Sequence, residues 1–164
     1  MDNKKTVMTV AVLGGTGKEG SGLAMRWAAS GYNVIIGSRS AERAEQKAGE
    51  LNAALGAGYM SGAHNVEAAA QADLVVVSVP YAAHQTILES IREVVQGKVL
   101  VDVTVPLQPS KASVVHLPEG GAAALEAQAL LGDGVCVVAA FQNVSAGHLT
   151  DIGHRIDCDV LVCG

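Results

Sequence analysis

The sequence predicts a three-layer α/β fold, in which a doubly wound, mainly parallel sheet of the Rossmann type carries helices on both faces. Strand-like and helix-like segments alternate along nearly the whole chain, which is typical of βαβ units with right-handed crossovers. A glycine-rich turn joins the first strand to the first helix. Hydrophobic residues make up 49% of the chain but aromatic residues only 3%, which suits Val-rich strands covered by Ala- and Leu-rich helices. The length of 164 residues allows one domain with its own core.

The predicted elements follow one another without an internal repeat or a low-complexity linker. The first strand contains Val7, Val10 and Val12. Further strands are expected at residues 33–37, 58–62, 74–79, 98–103, 135–140 and 160–163. Helices are expected at residues 23–29, 40–55, 65–72, 84–95, 122–131 and 145–152, and residues 106–121 are predicted to form a loop. The apolar residues near the end predict that the last strand, 160–163, is buried.

Capping and breaking residues set several of these boundaries. Ser40 has the side-chain hydroxyl that suits a helix N-cap, and Gly56 is the residue type that most often ends a helix. Pro80 has no N–H group and therefore ends the strand before it. We expect the longest helix to lie between Ser40 and Gly56.

Charge and hydropathy exclude several classes of partner. The formal net charge is −5, whereas binding to nucleic-acid phosphates needs a clustered basic surface. No apolar run approaches the roughly 20 residues that span a bilayer. The first five residues lead directly into a strand, without a signal-peptide pattern. We therefore expect a cytoplasmic protein that binds neither nucleic acid nor membrane.

The cysteine and histidine positions favour neither a disulfide framework nor a metal site. Cys136, Cys158 and Cys163 are an odd number without zinc-like spacing, which favours free thiols in a reducing compartment. The spacing of His148 and His154 relative to these cysteines matches no compact zinc pattern. A hydrolase built on Ser145 and His148 is also disfavoured, because no G-x-S-x-G turn surrounds the serine.

The glycine-rich turn predicts a dinucleotide-binding loop. Gly15, Gly17 and Gly20 have the G-x-G-x-x-G spacing between a strand and a helix. The first glycine permits the sharp turn, the second lets a pyrophosphate approach the backbone, and the third lets the helix pack against the strand. The helix then presents free N–H groups and the positive end of its dipole to the phosphates. The competing interpretation is a tight structural turn without a ligand.

The end of the second strand favours NADP(H) over NAD(H). NAD-binding folds carry an acidic residue about 20 residues after the glycine loop, but here the strand ends in Gly-Ser-Arg-Ser. The hydroxyl of Ser38 and the guanidinium of Arg39 offer donors and positive charge to a 2′-phosphate, and Arg43 lies one helical turn further on. The alternative is a solvated helix face in which basic and acidic side chains pair, and we expect this for Lys47.

At the level of whole motifs, the chain resembles the NADPH-dependent deazaflavin (coenzyme F420) reductases. The resemblance rests on AVLGGTG-x-x-G, VIIGSR, SVPYAAH, VDVTVPL, VVAAF-x-NVSA and DCDVLVCG, in this order. It covers essentially the whole chain. It implies that NADP(H) binds on the glycine loop and that a hydride passes between C4 of the nicotinamide and C5 of the deazaflavin. No catalytic protein residue and no metal are implied, since the protein orients two cofactors.

The resemblance also assigns individual residues. It implies that the cofactors contact Gly15, Thr16, Gly17, Lys18, Glu19 and Gly20 in the loop, and Ser38, Arg39 and Arg43 at the 2′-phosphate. It further implies that the cleft is lined by Val79, Pro80, Tyr81, Gln142, Asn143, Val144 and Ser145. Family members usually continue past DCDVLVCG into a small region that helps to form the deazaflavin pocket and the dimer. Residues 1–164 are therefore expected to be the NADP-binding domain of a homodimer, without that small region.

Several alternatives stay open at this point. The electron acceptor could be a flavin or a ferric chelate, or the chain could be a non-enzymatic NADP(H)-binding module. Pro80 could be only a strand terminator, and Tyr81 only a core or rim aromatic. His84 follows them and could face the cleft or solvent. Asp102, at the end of the fifth strand, could bind loop amides or line the cleft.

Overall fold

The fold alternates strands and helices as the sequence predicts. A computed structural model describes residues 7–108, 111–115 and 117–164. The strands are β1 (Thr9–Leu13), β2 (Asn33–Ser38), β3 (Met60–His64), β4 (Leu74–Val77), β5 (Val99–Asp102), β6 (Leu107–Gln108), β7 (Lys111–Val115), β8 (Cys136–Ala140) and β9 (Val162–Cys163). The helices are α1 (Lys18–Ala29), α2 (Ala41–Leu55), α3 (Asn65–Gln71), α4 (Tyr81–Ile91), α5 (Ala123–Leu131) and α6 (Ala146–Thr150).

The main sheet has seven strands in the order β3-β2-β1-β4-β5-β8-β9. All neighbouring strands from β3 to β8 are parallel, and only β9 pairs antiparallel with its neighbour. From β1 the chain first builds outwards through β2 and β3, and then returns to place β4 on the other side of β1. This reversal creates a crevice at the carboxyl ends of β1 and β4, where open α/β sheets bind ligands. The prediction of a doubly wound, mainly parallel sheet is confirmed.

Strand β1 shows why the sheet is covered on both faces. Val10 and Val12 face a core that includes residues of α1 and α2, whereas Ala11 and Leu13 face a core that includes residues of α3, α4 and α5. These four side chains are at most 4% exposed. Full burial of a Val or Leu side chain is worth roughly 1.5–3 kcal/mol. Three layers therefore follow from the alternation of side chains along a strand whose two faces are both apolar.

The helix boundaries agree with the capping chemistry. The Ser40 hydroxyl accepts a hydrogen bond from the Arg43 N–H at 3.3 Å, and Gly56 ends α2 in the left-handed conformation with φ of 63°. Helix α4 begins at Tyr81, three residues before its predicted start, because Pro80 occupies the N-cap position. The longest helix, α2, has 15 residues. None of the helices in the described part of the chain is long and apolar enough to cross a bilayer.

Two predictions about irregular regions are wrong. Residues 160–163 do not form a buried strand: β9 contains only Val162 and Cys163, and Leu161 is 75% exposed. An apolar run at the edge of a sheet lacks the second covering layer that buries a central strand. The predicted loop at 106–121 also contains the antiparallel pair β6 and β7, while residues 109, 110 and 116 lie outside the described residues.

Arg26 holds the segment after β8 against α1. Its guanidinium donates hydrogen bonds to the carbonyl oxygens of His148, Leu149, Asp151 and His154 at 2.7–3.0 Å. These carbonyls lie at and just beyond the carboxyl end of α6, where a cation is favourable. One side chain of α1 therefore fixes the position of the short helix that follows Gln142–Ser145.

Candidate functional site

The crevice at the carboxyl ends of β1 and β4 contains two cavities, one on each side of the glycine loop. The first, of about 600 Å³, lies towards β2, and the second, of about 370 Å³, lies towards β5 and β8. Gly17, Ser78, Val79 and Pro80 line both. A long ligand can therefore cross the loop and occupy both cavities.

The backbone of the loop allows this close approach. Gly14 has φ of 78°, and a Cβ atom there would lie 2.3 Å from the Ser78 carbonyl oxygen. A Cβ atom on Gly20 would lie 2.9 Å from the Gly14 carbonyl oxygen, so α1 packs directly on the turn. Gly17, by contrast, has one neighbour within 4 Å of such an atom, at 3.3 Å. The left-handed conformation falls on Gly14, one residue before the first glycine of the motif.

The larger cavity has a cationic side. Thr16, Ser38, Arg39, Ser40 and Arg43 line it, and both arginines are exposed. The buried Ser38 hydroxyl accepts a hydrogen bond from the Ser40 N–H at 3.3 Å, which stabilises the turn that presents Arg39. Neither arginine forms an ion pair with any described residue. Their charge is therefore available to an anionic ligand.

Lys47, in contrast, pairs with Glu50 on the exposed face of α2, as predicted. The hydrogen bond and the charge of Lys47 lower the pKa of the Glu50 carboxyl. This pair lies outside the two cavities. The basic side chains of α2 thus differ in role: Arg43 lines the larger cavity, whereas Lys47 pairs with Glu50 at the surface.

The smaller cavity has mixed polarity. Its lining includes residues that the family resemblance assigns to the cofactors, namely Lys18, Glu19, Val79, Pro80, Gln142 and Val144. Burial raises the pKa of the Glu19 carboxyl above its ordinary value. This carboxyl therefore accepts a proton more readily than an exposed one when a second anionic group approaches.

A third cavity, which is apolar and has a volume of about 220 Å³, adjoins the cavity of about 370 Å³ that we call the smaller cavity. Thr104, Val105 and Gln142 line both. Its other walls include Pro106, Pro118 and Ala139. The crevice therefore continues beyond the smaller cavity into a largely apolar space.

Three predicted side chains lie elsewhere, and Gly15, which is buried in the turn, also lines neither cavity. The Tyr81 hydroxyl donates a hydrogen bond to Glu126 at 2.8 Å and lines a separate cavity between α4 and α5. This hydrogen bond is the main cause that raises the pKa of the Tyr81 phenol. The Asn143 amide donates to the Asp159 carbonyl, and Ser145 is the N-cap residue of α6. In this structure, none of the three lines the cavities beside the glycine loop.

The buried pair of His84 and Asp102 is the main feature that the sequence did not reveal. His84 Nε2 lies 2.9 Å from Asp102 Oδ2, and both side chains are buried. Asp102 Oδ1 accepts a hydrogen bond from the Thr104 N–H at 3.0 Å, and the Asp102 carbonyl accepts one from Gln142 Nε2 at 2.8 Å. Asp102 therefore fixes Thr104 and Gln142, two residues of the cavity wall. In the sequence, only its position at the end of a strand indicated that it could lie at the cleft.

A strained residue precedes Gln142. Phe141 has φ of 71°, which is unusual for a residue with a side chain. Its ring packs edge-on against Trp27 with 5.8 Å between the centroids, and this packing helps to offset the backbone strain. The turn directs the Gln142 amide towards β5 instead of along the continuation of β8.

We expect His84 and Asp102 to be energetically coupled. Asp102→Ala leaves the His84 Nε2–H and the Thr104 N–H without their acceptor, which we expect to lower the free energy of unfolding by about 3 kcal/mol. In a double-mutant cycle with His84→Ala, measured by urea denaturation, the coupling should be about 1–3 kcal/mol. The exposed pair Lys47 and Glu50 serves as the control and should show a much smaller coupling. Additive effects of the two buried substitutions would contradict this role.

Comparison with known proteins agrees with this geometry. Residues 9–106 match the family described as NADP oxidoreductase, coenzyme F420-dependent. An F420-dependent NADP reductase of Methanothermobacter thermautotrophicus is 46% identical over 97% of this chain and 71% of the relative. The F420-dependent NADP reductase of Methanocaldococcus jannaschii is 38% identical over 96% of this chain and 73% of the relative.

Among solved structures, a candidate F420-dependent NADP reductase from Arthrobacter sp. FB24 superimposes with a TM-score of 0.76 at 28% identity. The match covers 94% of this chain and 72% of that protein. The resemblance inferred from the motifs is thus supported by sequence and by structure. The glycine loop, the serine–arginine end of β2 and the cleft beside them are those of a chain that belongs to the coenzyme F420-dependent NADP oxidoreductase family.

Proposed function

We propose that this chain is an NADP(H)-dependent oxidoreductase that transfers a hydride between NADPH and the deazaflavin coenzyme F420. The observation that carries the proposal is the continuity of the cleft. Along the edge of the sheet, the cleft begins at a cationic end with Arg39 and Arg43 and then passes the glycine loop. It continues into the apolar cavity, which shares Thr104 and Gln142 with the cavity beside the loop. Relatives that are 38–46% identical carry the name F420-dependent NADP reductase, which supports the same activity.

The proposed orientation of NADP(H) follows from charge and space. The 2′-phosphate is placed at Ser38, Arg39 and Arg43, because a guanidinium binds phosphate through paired charge-assisted hydrogen bonds. The pyrophosphate is placed at Gly15–Gly20, where the first turn of α1 has free N–H groups. The nicotinamide then reaches the smaller cavity, between Pro80 and Gln142. The residues that line the two cavities therefore fit NADP(H).

The protein contributes orientation to this reaction. When both cofactors are bound, a hydride moves between C4 of the nicotinamide and C5 of the deazaflavin, and the accompanying proton is exchanged with solution. Val79, Pro80 and Val144 provide apolar walls that exclude water from the meeting point of the rings. Gln142, held by the Asp102 carbonyl, forms part of the cavity wall. Fixing two reactants at close range is itself a large part of the rate enhancement.

The wider assignments are also proposals. We propose that residues 1–164 form the NADP-binding domain and that the chain acts in the cytoplasm without binding nucleic acid. The three free, exposed cysteines and the net charge of −5 support this setting. A homodimer is supported by the exposed Val162 of the edge strand β9 and the exposed Leu161 beside it, since exposed apolar edges are often covered by a second chain.

Hydride exchange tests the activity directly. We expect NADPH and oxidised F420, mixed with the chain, to show a matched loss of NADPH and deazaflavin absorbance. FMN in place of F420 serves as the control acceptor and should give much slower turnover. Binding of NADPH without any exchange with F420 would contradict the proposed reaction and favour a non-enzymatic binding module.

The phosphate end can be tested separately. We expect Arg39→Asp to weaken NADPH binding roughly 10- to 100-fold, because it removes a charge-assisted hydrogen bond and adds repulsion. NADH binding should change by no more than about twofold, since NADH has no 2′-phosphate for the guanidinium to hold. Calorimetric titration with each dinucleotide measures both effects.

Lys47→Asp is the matched control, because it makes the same charge change on the following helix, α2, but outside the cavity. It should leave the preference for NADPH unchanged. An equal loss of NADPH and NADH binding in Arg39→Asp would show that the arginine does not recognise the 2′-phosphate.

A further inference from the structure

The buried ring of His84 has one nitrogen that no described residue hydrogen-bonds. Its Nε2 atom pairs with the Asp102 carboxylate, which can only accept, so Nε2 carries the proton and Nδ1 of the neutral ring is an acceptor. Nδ1 has no donor within the described part of the chain, although His84 is only 2% exposed. Buried polar atoms in native proteins are nearly always paired, so this acceptor is open to water or to a ligand.

The free nitrogen opens into a cavity outside the cofactor cleft. His84 lines a cavity of about 540 Å³ between α4 and α5, which we call the interhelix cavity, and lines neither cavity beside the glycine loop. Among the described residues, Asn65 Oδ1 is the single fully buried side-chain oxygen or nitrogen without a partner. Nδ1 therefore keeps some accessible surface, and the interhelix cavity is the space that this surface faces.

The other polar groups around the interhelix cavity mainly accept hydrogen bonds. The Glu126 carboxylate accepts from the Tyr81 hydroxyl at 2.8 Å and from the Gly120 N–H at 3.3 Å, and each of its oxygens can accept once more. Gln85 donates to Glu89 at 2.8 Å, which leaves its amide oxygen free. None of the described lining residues is a lysine or an arginine, so the fixed charge of the cavity is negative.

The remaining walls are apolar. They include Leu88 of α4 and both Ala129 and Leu130 of α5. The Tyr81 ring lies 6.1 Å from the His84 ring, centroid to centroid, and adds an aromatic surface that a cation or an aromatic group contacts favourably. Acceptors, one carboxylate and apolar walls together suit a ligand that combines positive charge and hydrogen-bond donors with an apolar body.

We propose that the interhelix cavity binds a small organic ammonium ion, with its charge at Glu126 and a hydrogen-bond donor at His84 Nδ1. A metal ion matches the cavity less well, because the described residues contain no group of three or more His, Cys, Asp or Glu side chains that could hold one. An anion would meet the like charge of Glu126. This site lies outside the cofactor cleft and does not rest on the proposed function.

Tyramine is a suitable probe, because it carries an ammonium group, an aromatic body and a hydroxyl donor in one small molecule. In a chain with isotopically labelled histidine, the ring signal of His84 in the NMR spectrum is the one that His84→Asn removes. We expect tyramine to shift this signal in a saturable titration. Phenethylammonium, which lacks the hydroxyl, should bind about fivefold more weakly, since it pairs with only one of the two acceptors.

Two further analogues test the role of charge. Ethylphenol with the hydroxyl in the para position lacks the ammonium group and should bind roughly tenfold more weakly than tyramine. The para-hydroxyphenylpropionate ion has a carboxylate in place of the ammonium group, so we expect it to leave the His84 signal unshifted. Tyramine should still shift the signal when NADPH is present in excess, because the two ligands occupy different cavities.

Glu126→Gln removes the charge but keeps an acceptor for the Tyr81 hydroxyl. It should weaken tyramine roughly tenfold and change the affinity for para-ethylphenol by no more than about twofold. Glu89→Gln is the matched control, because it makes the same change at an exposed carboxylate of α4 that does not line the cavity. It should leave both affinities unchanged, and thermal unfolding confirms that each variant is folded.

The outcomes decide the assignment. A His84 shift that Glu126→Gln weakens and Glu89→Gln does not would establish the site. The absence of any shift at high tyramine concentration would overturn the proposal, and so would equal affinity for tyramine and para-hydroxyphenylpropionate. Displacement of tyramine by NADPH would place the probe in the cofactor cleft and overturn a separate site, without affecting the proposed function.

Discussion

The hydrogen bonds of Asp102 connect the parts of the cleft that come from distant regions of the chain. Its carboxylate joins His84 of α4 to the N–H of Thr104, and its carbonyl holds the amide of Gln142 after β8. His84, Asp102 and Thr104 are shielded from water, so the hydrogen bonds among them are stronger than they would be on the surface, and the loss of one partner is correspondingly costly. The smaller cavity depends on this arrangement, because Thr104 and Gln142 form its wall.

The distribution of charge complements this geometry. The chain is acidic overall, with a formal net charge of −5, yet Arg39 and Arg43 are free of ion pairs within the described residues. Repulsion elsewhere on the surface and attraction at this end of the cleft orient a highly anionic dinucleotide as it approaches. The opposite end of the cleft is largely apolar. One ligand can therefore enter in only one favourable direction.

The sequence predicted the features that depend on local chemistry. Alternating strands and helices, the N-cap at Ser40 and the cationic end of β2 all follow from short patterns. The sequence did not predict the His84–Asp102 pair, because the two residues lie 18 positions apart and only the return of β5 beside β4 brings them together.

The burial predicted for the last strand is wrong for a physical reason. Apolar residues near the end of the chain suggested burial, but burial depends on what covers a strand, and β9 lies at the edge of the sheet. Tyr81 illustrates the same dependence on packing: α4 begins at this residue, and its hydroxyl donates a hydrogen bond to Glu126. Orientation within an element is decided by tertiary packing, which composition and spacing do not specify.

Arg26 gives α1 a second role. This helix is about 18 Å long, and it carries the phosphate-binding turn at one end and the guanidinium that holds α6 near the other. The segment from Gln142 to Ser145 is therefore anchored at both ends, by Asp102 and by Arg26, before any cofactor arrives. The conformational entropy of this segment is lost during folding instead of during binding. The cleft is in this sense preorganised. Because little of the interaction free energy is spent on ordering this segment when the cofactor binds, more of it appears as affinity.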